Sequence, residues 1–229
     1  KHIRSTNNAR EVTVNYIKDN QSYIVKAKGV VLACYNMIIP YIVPNLPEDQ
    51  FTALKKLTKV PLQYSTIGLR HWRPMKELGL GMVMSPGNLH TAVNMDFPVS
   101  VGDYQYTKSP DHPCVLHMRS APRGDTVGAP LRQQFAEARY NMLAMSFEDY
   151  EQEIREHLTG MFPSELFDFD RDVESIIVNR WAHGYSHGDP GDVGRAPFGR
   201  ITIANSDAND TSLANNAIMQ ANRAVQELS

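Results

Sequence analysis

A mixed α/β and α+β fold is predicted by three features of the chain. Gly29 to Cys34 (GVVLAC) is a short continuous apolar run, the composition of a strand buried on both faces in a parallel sheet. Near the other end, Arg200 to Ala204 carry Ile201, Thr202 and Ile203 in a short buried strand, followed by a polar turn from Asn205 to Thr211. From Ser212 the apolar residues Leu213, Ala217, Ile218, Ala221, Val225 and Leu228 recur at helical spacing, with Asp210 or Thr211 placed to cap the helix. Between these ends lie β-branched and aromatic strand patterns and two amphipathic helical stretches, which together predict a mixed sheet with helices on it.

Composition limits the functions open to the chain. Its 229 residues are 42% hydrophobic with a formal net charge of −2, enough for one large or two small cores and no electrostatic case for nucleic acid or an anionic membrane. No run approaches the roughly eighteen apolar residues that span a bilayer; the longest, Tyr35 to Val43, is broken by Asn36 and Pro40. The two cysteines, Cys34 and Cys114, make no disulfide framework and no CxxC pair, and are expected as buried apolar fillers. The chain opens on Lys1-His2-Ile3-Arg4, with no initiator Met or signal peptide, so it reads as part of a longer protein whose cellular location is left open.

In order, Glu11 to Ile17 alternates apolar and polar residues, Lys18 to Gln21 turn, and Ser22 to Lys26 alternate again, which predicts a hairpin before the apolar strand. Pro47, Glu48 and Asp49 begin a helix that runs through Leu57, and Val60 to Arg70 reads as a long strand. Shorter strands are expected near Gly81–Met84, His90–Met95 and Cys114–Arg119, with Met82, Met84, Met95 and Met118 filling a core. The Phe97–Pro113 connection is longer than usual, so it is either a lid or a partner surface. Leu131, Phe135, Ala138 and Met142 mark a helix over Pro130–Met145, and Ser146 to Asp149 caps a second over Phe147–Phe162, whose inner face is Tyr150, Ile154, Leu158 and Met161. Its acids and bases are expected on a solvated face.

Val173 to Trp181 is a strand, and Trp181 to Pro190 after it concentrates two histidines, two aromatics and an acid. On a helix His183 and His187 would share a face as metal ligands with Asp189, but Gly184, Gly188 and Pro190 argue against a helix there, and no metal site is assigned. Chemically the strand, turn and helix at the end of the chain are the more informative feature. A helix start fed by a strand presents free N–H groups and a partial positive charge, suited to an anion, although a terminal strand and helix that merely pack read the same way.

Residues Ile203-Ala204-Asn205-Ser206-Asp207, with the later Asn216-Ala217-Ile218-x-x-Ala221-x-Arg223-Ala224 pattern, resemble the C-terminal cofactor-binding segment of the flavin-containing amine oxidases. The hairpin followed by Val30-Val31-Leu32-Ala33, the Leu46-Pro47 helix with Val60-Pro61-Leu62, and Trp181-x-x-x-Tyr185-x-x-Gly188 are similar to further segments of that family, in the same order. Asn205 and Asn216 stand where the family has glycines, and Leu213 where it has the second aromatic of its amine cage.

The resemblance implies the C-terminal portion of an FAD/NAD(P)-binding, Rossmann-like fold plus a mixed-sheet substrate-binding domain. It implies residues 1–45 and 191–229 in the FAD-binding domain and 46–190 in the substrate domain. FAD is the implied cofactor, held by Ala33, Cys34, Ala204, Asn205, Asp207, Leu213 and Ala214, with Trp181 and Tyr185 shaping the flavin and substrate cavity. The implied reaction is oxidation of a C–N bond of an amine, with polyamines among the candidates. The implied partners are that small-molecule amine and an N-terminal half carrying the dinucleotide fingerprint; homo-oligomerisation is left open. A non-catalytic flavin-fold domain, a carotenoid-desaturase-like flavin oxidoreductase and a metal-dependent hydrolase remain as alternatives.

Overall fold

The computed structural model describes residues 2–4 and 10–229. The chain begins with strands β1 (His2–Arg4), β2 (Val12–Lys18), β3 (Gln21–Ala27) and β4 (Val30–Leu32), then helices α1 (Ile39–Ile42) and α2 (Glu48–Lys55). The long strand β5 (Thr58–Leu69) leads to α3 (Arg73–Glu77), β6 (Met82–Met84), β7 (Ala92–Met95) and β8 (Cys114–Ser120). Helices α4 (Leu131–Ala144), α5 (Phe147–Met161) and α6 (Phe169–Asp172) precede β9 (Val173–His187), α7 (Gly191–Arg195), β10 (Ile201–Ile203) and α8 (Ala214–Gln226). These elements form two compact units, one from the residues up to Lys59 together with Tyr185–Ser229, the other from Val60–Gly184. The chain passes between them within β5 and β9, whereas the resemblance placed the boundaries at 45/46 and 190/191.

In the first unit β1, β2 and β3 form an antiparallel sheet in that order. Asp19 and Asn20 both have positive φ, 50° and 60°, which a two-residue turn needs to match the twist of the strands it joins, and Lys18 pairs with Gln21 across it. β4 pairs in parallel with β10, Val30 opposite Ile201. Val12, Leu32, Ile39, Leu54, Ile201 and Ile203 meet in one core. The expectation that β4 is buried on both faces is corrected: Leu32 is buried, but Val31, pointing the opposite way, is 41% exposed because no described element covers that face.

Helix α8 also differs from its sequence pattern. Ile218 and Val225 are 70% and 59% exposed, and the inward residues are Asn216, Gln220 and Ala224. The cause is Arg223, whose guanidinium donates to the carbonyl of Ile203 at 2.5 Å and of Arg195 at 3.1 Å and pairs with Glu227 at 2.6 Å. The helix therefore docks through charge-assisted hydrogen bonds to the backbone of β10 and of the end of α7. Asp210 and Thr211 do not cap it: Leu213 occupies the cap position, while Asp210, at φ 45°, closes a short 3-10 turn over Ser206–Asn209.

The second unit is a five-stranded sheet in the order β6-β7-β8-β5-β9, with Ile67, Leu69, Val93, Leu116 and Met118 packed against Ile154, Leu158 and Phe162 of the α5 region. Ser146 and Asp149 form the expected capping box, and Tyr150, Ile154 and Leu158 are buried as the period predicts. Met118 is core, but Met82 and Met84 are exposed on the edge strand β6. Two side chains of α5 depart from a purely solvated face: Arg155 lies over the Phe169 ring at 4.1 Å, and His157 Nε2 is 2.9 Å from Ser85 Oγ.

Candidate functional site

In the first unit the carboxyl ends of β4 and β10 lie side by side, because a parallel pair brings both strand ends to one edge, the edge where open α/β sheets bind ligands. The two loops are tied together there. Ala204 N–H donates to Leu32 O at 3.0 Å, and Asn205 Nδ2 donates to Cys34 O at 3.0 Å. Asn205 adopts φ 121°, ψ 152°, a conformation natural to glycine and strained for any other residue. Its Oδ1 accepts from Asp207 N–H at 2.8 Å, so the side chain holds the turn that its own backbone strains.

Asp207 is buried beneath this turn. Its Oδ1 accepts from Lys59 Nζ at 2.6 Å and its Oδ2 from Asn36 N–H at 3.3 Å, with the Lys59 and Asp207 side chains each 5% exposed. Lys59 also lies over the Tyr35 ring, 4.4 Å from its centroid. Sequence reasoning singled out Asp207 but missed Lys59 and Asn36. The available signal was Lys59 itself, a cation between Thr58 and Val60 at the start of an apolar strand, where burial demands an opposite charge.

Around this anchor, Ala33 is exposed, Cys34 is half-buried rather than buried, and Ala204 is buried. Burial first, and the nearby Asp207 charge, push the Cys34 thiol up, which keeps it neutral and inert. Leu213 and Ala214 are exposed at the start of α8, where no side chain caps the first-turn N–H groups. Ser186 N–H donates to Ser212 Oγ at 2.8 Å, which fixes Tyr185 next to that helix start.

Trp181 to His187 is strand, so Trp181, His183, Tyr185 and His187 alternate onto one face of β9, with Trp181 54% and Tyr185 51% exposed. His183 and His187 stand about 13 Å apart along such a strand. Among the described residues no three His, Cys, Asp or Glu side chains gather in a group that could hold a metal. No helix is long and apolar enough to cross a membrane among the described residues.

An FAD is implied by the resemblance, and the residues present fit it. The small side chains of Ala33 and Ala204, the glycine-like backbone of Asn205 and the uncapped start of α8 leave room and donors for a phosphate-bearing cofactor. The wholly buried Asn36 amide, with neither Nδ2 nor Oδ1 partnered among the described residues, adds unsatisfied polar groups beside the Asp207 loop.

No protein-family model matches the chain. No curated protein matches it by sequence. Solved structures do. Wild-type putrescine oxidase bound to putrescine superposes with a TM-score of 0.65 at 15% identity, covering 100% of this chain and 47% of its own. Cyclohexylamine oxidase from Brevibacterium oxydans IH-35A gives 0.65 at 14%, covering 98% and 47%. A protein assigned as a protoporphyrinogen oxidase from Exiguobacterium sp. 255-15 gives 0.61 at 12%, covering 94% and 45%. The chain thus spans about half the length of these proteins. Its two units, with their parallel strand pair and five-stranded sheet, have the fold of part of a flavin-containing amine oxidase.

Proposed function

We propose that the chain is part of an FAD-dependent oxidoreductase that oxidises the C–N bond of an amine, contributing one side of the cofactor site and the substrate-binding unit. The observation that carries this reading is the glycine-like Asn205 turn, locked over the buried Lys59–Asp207 pair at the carboxyl ends of β4 and β10. Ala33, Cys34, Ala204 and Asn205 would line the cofactor with the exposed Leu213 side chain, and the uncapped first-turn N–H groups of α8, beginning at Ala214, would hold its anionic part. Asp207 acts from beneath, through Lys59, to keep the loop in shape. FAD, when bound, supplies the two-electron acceptor. Trp181 and Tyr185 offer ring faces for the apolar body of an amine and exclude water from it.

The rest of the cofactor site belongs to a partner segment supplying the remaining half of the fold, in the same protein. Two exposed apolar features support this: Val31 on β4 and the outward face of α8 at Ile218, Ala221 and Val225. A non-amine substrate is the second reading, favoured by the porphyrinogen-oxidising assignment of one neighbour. The test is the visible spectrum of the complete gene product, purified without added cofactor. A flavin band bleached by an aliphatic amine under anaerobic conditions supports the first reading; a band bleached by protoporphyrinogen alone supports the second; no flavin, even after incubation with FAD, rejects both.

A further inference from the structure

The Phe97–Pro113 connection has a use that amine chemistry does not absorb. It folds over the end of the sheet where β5 stops and β8 and β9 begin, and walls a half-open cavity of about 560 Å³ against Leu69, Val115 and Ser175. That volume lies in the range of small-molecule sites. Ser175 is six residues before Trp181 on the same strand, about 20 Å away along it.

The strap is held down along its length rather than draped. Tyr104 OH donates to Asp96 Oδ2 at 2.8 Å, and within the strap itself Tyr106 N–H donates to Ser100 Oγ at 3.1 Å. Trp72 Nε1 donates to Thr107 Oγ1 at 3.0 Å, and Trp72 N–H to Pro110 O at 2.9 Å. Arg73 pairs with Asp111 at 2.8 Å. Asp96 is fixed in turn by His117 Nε2 at 2.9 Å. A long loop with this many anchors presents a preformed wall, which lowers the ordering cost of binding.

The wall decides the ligand. Leu69, Val115 and the rings of Tyr104 and Tyr106 give an apolar, aromatic interior. Of the two fully charged side chains at the cavity, Glu174 is paired with Arg70, while Lys108 makes no ion pair among the described residues. The Cys114 thiol, also at the wall, is pushed up to about 12 by burial and by the Asp96 charge, so it stays neutral and binding there is non-covalent.

We propose that this cavity binds an apolar, aromatic or alkyl molecule carrying one carboxylate, with the body between Tyr104, Tyr106 and Val115 and the anion on Lys108. The experiment is calorimetric titration of the protein with 2-naphthoate and, separately, with 2-naphthylmethylamine, which has a related body and the opposite charge. Naphthoate binds wild type, and Lys108→Gln binds it about tenfold more weakly, the effect of one charge-assisted hydrogen bond. Val115→Phe, which fills the floor, abolishes binding, and the amine binds at least about tenfold more weakly than the acid. Equal affinity of wild type and Lys108→Gln for naphthoate, equal or tighter binding of the amine, or no naphthoate binding at all overturns the assignment. Lys108 is exposed, so its replacement leaves the fold intact and the test does not depend on Val115→Phe folding.

Discussion

Lys59 and Asp207, 148 positions apart in sequence, meet at 2.6 Å with both side chains almost wholly out of water. The pair joins the start of β5 to the turn after β10 and so sets the shape of the loop proposed to face the cofactor. Removing one partner leaves the other charged and unpaired. Lys59→Ala is therefore expected to lower the stability of the protein by about 3–5 kcal/mol, and the double replacement Lys59→Met, Asp207→Leu by much less. Urea unfolding of the single and double variants measures both; equal losses would show that the charges do not act as a pair.

Asn205 combines a strained backbone with two useful side-chain bonds, to Cys34 O and from Asp207 N–H. Glycine relieves the strain but loses the bonds, whereas alanine loses the bonds and keeps the strain. The expected order of stability is Asn, then Gly, then Ala, with Ala about 1 kcal/mol below Gly. Thermal melting of the two variants checks the order, and FAD retention in the complete protein is expected to follow it.

Arg223 carries the docking of α8 through the carbonyls of Ile203 and Arg195. Arg223→Met is expected to cost about 2–3 kcal/mol, since two hydrogen bonds from a charged donor to backbone carbonyls are lost. Hydrogen exchange resolves the effect: the amides of residues 214–226 should exchange faster in the variant, while those of β5 and β8 keep their protection.

His90 gives the fold a pH dependence. Its Nε2 sits 2.8 Å from Ser65 Oγ and accepts from Gln63 Nε2 at 3.0 Å, inside the core of the second unit. Tyr150 OH donates to Gln63 Oε1 at 3.3 Å, which turns the amide so that a donor faces the ring. Burial, with the neighbouring His157 second, lowers the imidazole to about 4, so the folded protein holds it neutral. The unfolded chain takes up this proton at the ordinary histidine pKa of about 6.5, so the contribution is whole above that value. It is lost as pH falls toward 4, by about 3 kcal/mol in all. Urea unfolding at pH 7 and pH 4 should show this loss in wild type and its absence in His90→Gln.

Local pattern made much of the framework legible. The Asp19-Asn20 hairpin, the capping box of Ser146 and Asp149 and the buried face of α5 each follow from residues a few positions apart. What failed depends on distant partners. The stripe of α8 read as its inner face, but Arg223 finds carbonyls on β10 and at the end of α7 that no helical period encodes. Val31 read as doubly buried because apolar runs usually are, and covering its second face is a matter for elements far away in sequence or outside these residues. In the site, the importance of Asp207 came from resemblance, whereas its actual neighbour, Lys59, lies in a different segment. The strap was recognisable by its length alone, and its anchors at Trp72 and Asp96 emerge only in three dimensions.

The inverted helix α8 also makes this chain's behaviour in solution depend on its company. A helix that keeps its polar side inward turns Ile218, Met219 and Val225 into an adhesive strip, and each apolar group on it gains by finding another surface. Kosmotropic salt and rising concentration strengthen that tendency, while the hydrogen-bonded inner side holds the helix in place. Charged residues at those outward positions would therefore make the chain more soluble without loosening its fold, and would weaken whatever assembly that strip normally seals.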